Sequence, residues 1–374
     1  MDRPFPFGFP PPTAVYLALY ISTLVLHVVF MNYVLAGTGY MAAAMLSKRT
    51  AFGPKPQSAS VEILRDWMPF ALSAAITAGI APLLFVQILY QKPFYTANLL
   101  LFHRWMSILP VLIVGFYLLY LLKAKRIELW RPVVQRAVGV TAFLCFAYTG
   151  YSWTENHLLS LDARHWTTQY ASQSMWYAST LTAPRFAVWL FGSISTMSCI
   201  LLWQLRAKTA HGDVAANAEA SDDNPSSKAA RGLSALSVAG LVLSVAAAGW
   251  YHAAAGPAHR EAMTAPISRL YLFAAAAGLA LQVVGWVAIH RARRIDARWL
   301  LVVSIGALLT ILSTSVVREA VRIAHMDMGG LVELHRRAAT AGGFAVFLGF
   351  FALNAILVYV SIRLVRPSGD RKRA

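Results

Sequence analysis

Apolar runs of about 20 residues or more recur along the chain, separated by short polar stretches. A helix rises 1.5 Å per residue, so roughly 20 apolar residues cross the hydrocarbon core of a bilayer. The pattern predicts nine crossing helices, over 14–46, 67–91, 95–122, 133–156, 186–205, 232–251, 268–289, 299–324 and 338–362. The first, third and eighth are long enough to tilt or to project beyond the membrane. Pro82 and Pro110 fall mid-span, where neighbouring helices can satisfy the freed carbonyls.

The expected fold is an all-α, polytopic integral membrane helix bundle. The polar segment "RAKTAHGDVAANAEASDDNPSSKAAR" (206–231) divides it, reading as a flexible linker rich in Ala, Ser and Asp. Residues 1–205 then form a first membrane bundle, 232–366 a second, and 367–374 a basic tail. The stretch "YSWTENHLLSLDARHW" (151–166) and the aromatic residues up to Tyr177 suit headgroup depth. They predict an outer lid over 157–184.

Composition agrees with a membrane bundle: 58% of residues are hydrophobic, only 13% are charged, and mean hydropathy is +0.55. A soluble domain needs more charge on its surface. The net charge of +17 would suggest nucleic acid in another setting. Here most Lys and Arg residues fall in alternate loops, among them Lys48, Arg65, Lys123, Arg131, Arg206, Arg231, Arg291 and Arg298, and in the tail. That asymmetry predicts an external N-terminus and an internal C-terminus in the inner (cytoplasmic) membrane, with lipid as the partner and no nucleic acid. Cys145 and Cys199 lie in apolar runs without CxxC or CxxCH spacing and read as packing residues. The N-terminus lacks a basic region before its apolar run, so cleavage as a signal peptide is not expected.

Against this background "VVREAVRIAHMDM" (316–328) stands out, since a charge inside a bilayer costs at least ~2.5 kcal/mol. Arg318, Arg322 and His325 fall at i, i+4 and i+7 on one helix face, and Glu319 can pair with Arg322 at i+3. That leaves Arg318 without an acid on its own helix. A two-arginine face suits an anion such as a haem propionate or a semiquinone. The alternative is an ion-pair network that only locks helices together. Eight of the ten histidines fall on the predicted outer side. His27 is the deepest, about 15–20 Å below its helix end, and His103 lies about 10 Å down the third span beside Arg104. Each needs a partner there: a hydroxyl or carbonyl on another helix, a haem iron, or a quinone. The run "HMDMGGLVELH" (325–335) gathers His325, Met326, Met328 and His335, ligand types that bind copper.

The first span, "LVLHVVFMNYVLAGTGYMA" (24–42), resembles the opening helix of subunit I of cytochrome bd-type quinol oxidases. Nine spans with an external N-terminus also match that subunit. The resemblance implies that His27 ligates a haem b and that the protein is linked to quinone. It stops short of oxygen chemistry. The third span carries no acid, the fifth no histidine, and the loop after the sixth is only about 16 residues (252–267). The expectation is a respiratory-chain electron-transfer protein with His27 and His103 as metal ligands. Arg104, Arg318, Arg322 and His325 would complete the cofactor site, and a periplasmic cytochrome or another respiratory subunit would be the partner. The competing readings are a transporter or channel using the same buried contacts, and a non-catalytic anchor subunit.

Overall fold

The computed structural model describes residues 5–47, 58–124, 127, 129–210, 225–292, 294–340 and 343–365. Lys48, Arg49, Lys55, Lys125, Arg126, His211, Arg293, the centre of the expected linker and the 367–374 tail lie outside the described residues. Among the described residues the chain is helical and contains no strand. In chain order the helices are α1 (Pro11–Leu46), α2 (Ala59–Leu89), α3 (Gln91–Leu100), α4 (Phe102–Lys123), α5 (Pro132–Leu161), α6 (Trp166–Ser172) and α7 (Thr182–Ala210). They continue with α8 (Pro225–Ala254), α9 (Pro257–Thr264), α10 (Pro266–Ala292), α11 (Ala297–Ala324), α12 (Met328–Thr340) and α13 (Gly343–Val365). Eight of them, α1, α2, α4, α5, α7, α8, α10 and α11, are long and apolar enough to cross a membrane.

Local chemistry explains several boundaries. Proline opens α1, α5 and α9, where its missing N–H costs nothing. The Ser58 hydroxyl accepts from the Val61 amide to cap α2, and the Asp296 carboxylate accepts from the Arg298 amide to cap α11. Two boundaries differ from the hydrophobic pattern. The expected third span bends at Leu101 (φ −108°, ψ 34°). The turns before it belong to α3, which packs on α5 and α6, while α4 packs on α2 and α5. The expected linker is helical at both ends, since α7 runs on to Ala210 and α8 starts at Pro225. Helices on both sides of it share one apolar core, in which Val34, Leu64, Phe146 and Leu202 belong to the same cluster as Trp286, Ile289 and Val303.

The tightest crossing joins α10 and α11. A Cβ on Gly306 would lie 2.6 Å from the Gly278 carbonyl oxygen, and one on Gly278 would lie 2.7 Å from the Gly306 carbonyl. Small residues of this kind let helix backbones touch inside a membrane. Gln282 fills the same crossing, accepting from the Ser195 hydroxyl of α7 at 2.7 Å and donating to Thr310 at 3.0 Å.

The two ends of the bundle differ in kind. The short helices α3, α6, α9 and α12 all join long helices at the end where α1 begins and α11 finishes. At the opposite end, basic side chains bond backbone carbonyls of neighbouring segments. Arg65 reaches Leu122, Lys123 reaches Asp66, Arg136 reaches Met45 and Arg206 reaches Ile295. Leu122 and Met45 lie in the last turns of α4 and α1, where a cation meets unsatisfied carbonyls and the negative end of the helix dipole.

Candidate functional site

The capped end holds a buried polar assembly contributed by α1, α2, α4, α5, α7, α8, α9 and α11. Its centre is Glu319, which is fully buried. One carboxylate serves two arginines: Oε1 lies 3.1 Å from Arg318 Nη2, and Oε2 lies 3.2 Å from Arg322 Nη1. The expectation that Arg318 lacks an acid on its own helix is therefore corrected. The long side chain wraps back to its immediate neighbour. From α1 the hydroxyl of Tyr20 accepts from both Arg318 and Arg322. The ring of Tyr90, at the end of α2, lies 4.7 Å from the Arg322 guanidinium, a cation–π contact.

A second ion pair spans α4 and α5. Arg104, 5% exposed, donates from Nε to Glu155 Oε2 at 2.9 Å, and Glu155 is 1% exposed. The segment after α5 folds back over this pair. The Tyr177 amide donates to the other Glu155 oxygen at 2.7 Å, and Trp176 lies 3.9 Å from the Arg104 guanidinium. The Tyr177 hydroxyl donates to Asp162 Oδ2 at 2.6 Å, and His165 bonds the same carboxylate oxygen at 2.6 Å. Burial works to raise the Asp162 carboxyl, but these hydrogen bonds outweigh it and hold the group below the usual carboxylate range. Burial, reinforced by Asp162, raises Tyr177 above the usual phenol range.

His157 links the Glu319 centre to a third group. Arg322 Nη2 donates to His157 Nδ1 at 2.7 Å. A guanidinium only donates, so the neutral ring carries its proton on Nε2. That Nε2 is buried and has no hydrogen-bond partner among the described residues. On α7, Arg185 Nη1 donates to the Tyr251 hydroxyl at 3.3 Å, and Tyr251 in turn lies 2.7 Å from His259 Nε2. The His259 and His325 rings are 5.0 Å apart, and His325 Nδ1 donates to the Val321 carbonyl at 2.8 Å. Beside this pair a cleft of about 390 Å³ opens between α9, α10 and α11, lined by Ala262, Ile267, Ala320, Ile323 and Met326, with Glu261 among its polar residues.

His259 sits on α9, outside the crossing helices. Burial, aided by the charges of His325 and Arg185, pushes it down to about 4. Above its ordinary value of ~6.5 the ring is neutral whether α9 is docked or not, so nothing is lost. As pH falls from about 6.5 towards 4, an undocked ring takes up a proton that the docked ring refuses. Docking should therefore weaken over that window, by about 3 kcal/mol in all, and level off below it. Thermal unfolding between pH 7.5 and 4 should show this loss in the wild type, with a shallower slope in His259→Gln. Equal slopes would exclude His259 as the source.

The residues singled out from sequence divide into two groups. Arg104, Arg318, Arg322 and His325 belong to the capped-end assembly, although Arg104 bonds Glu155 and not a face shared with Arg318. His27 stands apart from it in mid-α1. Its Nδ1 donates to the Ala75 carbonyl of α2 at 2.8 Å, beside Gly79, where a Cβ would come within 2.7 Å of the ring. His103 is corrected: the bend at Leu101 puts it in the first turn of α4, exposed, with its ring against Phe102. His27 bonds α2, and the ring contact of His103 is with its neighbour Phe102. The copper grouping also separates. His335 bonds the Leu89 carbonyl at 3.1 Å and packs on Phe9, while His325 bonds Val321 within its own helix. No group of three His, Cys, Asp or Glu side chains suited to a metal ion occurs among the described residues. The residues that sequence reasoning passed over are Tyr20, Glu155, His157, Arg185, Tyr251 and His259. Comparison with family models, curated proteins and solved structures returned no match.

Proposed function

We propose that the chain is an integral membrane electron-transfer protein of nine crossings, α13 being the ninth, with the capped end outside and the C-terminus inside. The orientation rests on the basic residues gathered at the other end. His27 would hold a haem b, and a quinone would exchange electrons with it from the small-residue cleft beside His259 and His325. When bound, a haem supplies a one-electron couple.

One observation carries this reading. His27 lies in mid-span with Nδ1–H fixed on a backbone carbonyl, so the lone pair of Nε2 is free, and a glycine leaves room for the ring. A histidine that ligates a metal characteristically donates its other nitrogen in this way. His27 would thus serve as one ligand to the iron. His103, exposed beside Phe102, is not proposed as another. Arg318 and Arg322 are already shared among Glu319, Tyr20 and His157.

The test is haem content. Purified wild type and His103→Ala should carry haem in comparable amounts, and His27→Ala should carry almost none. A haem-free wild type, or a His27→Ala variant that keeps its haem, would reject the assignment.

A further inference from the structure

Among the described residues, the ring contacts between α13 and the bundle lie at the capped end. Phe344 and Phe347 meet Tyr16 of α1 at 5.4 and 5.1 Å, and Phe347 meets Phe85 of α2 at 6.1 Å. Beyond them the helix stands clear. Phe350, Phe351, Ile356, Leu357 and Tyr359 are each more than half exposed, and a Cβ on Gly349 would meet nothing within 4 Å. Lipid suits these apolar side chains. It does not suit Asn354, which is exposed and stands eleven residues, about 16 Å, from either end of α13. With α13 as a crossing helix, that depth is the centre of the hydrocarbon, where no water can hydrogen-bond an amide.

The carboxamide is half satisfied. Its Nδ2 donates one hydrogen to the Phe350 carbonyl at 2.8 Å, one turn back in α13. The other N–H and the Oδ1 acceptor have no partner among the described residues. One donor beside one acceptor is what a second carboxamide complements. Two copies of this chain enter the bilayer in the same orientation, so their Asn354 side chains stand at the same depth without any adjustment. We propose that α13 pairs with α13 of a second copy about a two-fold axis along the membrane normal, each Asn354 donating to Oδ1 of the other. Phe347, seven residues earlier on the same face, meets the bundle, but at Asn354 that face is open and the second helix has room to approach. A partner of other sequence would need a polar side chain at this depth; a second copy always has one.

This pairing rests on α13 being the ninth crossing, and the test separates the two. The full chain in native membranes has two cysteines, both buried. Phe350→Cys adds one a turn from Asn354 on its face, and Ile356→Cys adds one on the opposite face. Under copper phenanthroline, Phe350→Cys should form a disulfide-linked dimer and Ile356→Cys should not. Adding Asn354→Leu to Phe350→Cys should cut the dimer several-fold, whereas Asn354→Gln, which keeps a donor and an acceptor, should preserve most of it. Should Asn354→Leu fail to fold, the contrast between the two cysteine positions still decides. Ala374→Cys should react with a membrane-impermeant maleimide from the inner side only. Labelling from outside would overturn the crossing and the pairing together. Labelling from inside, with no dimer, with equal dimer at both positions, or with a Phe350→Cys dimer that Asn354→Leu leaves intact, would overturn the pairing alone.

Discussion

Glu319→Gln should cost about 3–5 kcal/mol of stability, the usual penalty for breaking a buried ion pair from one side. The carboxylate is fully buried and holds Arg318 at 3.1 Å and Arg322 at 3.2 Å. Glutamine keeps the shape and one acceptor but leaves two guanidinium groups facing each other and Tyr20 without a counter-charge. The loss is electrostatic, so removing one of the stranded cations should recover part of it. The double variant Glu319→Gln/Arg322→Gln should be more stable than Glu319→Gln alone. Melting temperatures of the purified variants in one detergent measure both effects. A loss in the single variant below about 1 kcal/mol, the size of an ordinary hydrogen bond, would mean that water or another anion already balances the arginines.

Gly306→Leu should prevent the bundle from assembling. A Cβ at this position already approaches the Gly278 carbonyl to 2.6 Å and the Gln282 amide nitrogen to 3.0 Å, and both are backbone atoms of α10. Backbone cannot rotate aside as a side chain can, so α10 and α11 must separate. Separation also breaks the hydrogen bond that Gln282 donates to Thr310, and disturbs its bond from the Ser195 hydroxyl of α7, to which Trp286 donates at 2.8 Å. Overpacking a well-fitted core costs 1–3 kcal/mol as a rule, and more where backbone is struck. The folded fraction recovered on size exclusion should fall to near nothing, whereas Gly249→Leu, which has open space around its Cβ, should purify normally. Equal recovery of the two would show that the crossing is looser than described.

These contacts also show how far the sequence could be read. The eight long helices were legible because length and apolarity are properties of each segment alone. The Glu319–Arg322 pair was legible because i+3 residues share a face. Arg318 was not, since adjacent residues on a helix diverge; only the length and flexibility of its side chain bring the fork back to Glu319. Glu155, His157, Arg185 and Tyr251 each sit within two turns of a helix end, where a polar residue ordinarily meets water or headgroups. Their burial depends on α9 and on the segment after α5 folding over them, and nothing along one helix encodes that. His103 was placed too deep because no proline or glycine announces the bend at Leu101.

The placement of His27 was legible as depth, but its direction was not. The Ala75 carbonyl and the gap at Gly79 are features of α2, about one helical turn apart, that appear only once α1 and α2 are packed together. Those features turn a lone buried imidazole into a ring with one nitrogen anchored and the other free.

A dithionite-reduced minus air-oxidised absorption spectrum of the unaltered protein tests the redox role of His27 most directly. The account predicts a Soret difference with the sharp visible bands of a b-type haem. A flat difference spectrum from folded protein, purified in a mild detergent with haem supplied during expression, would contradict it.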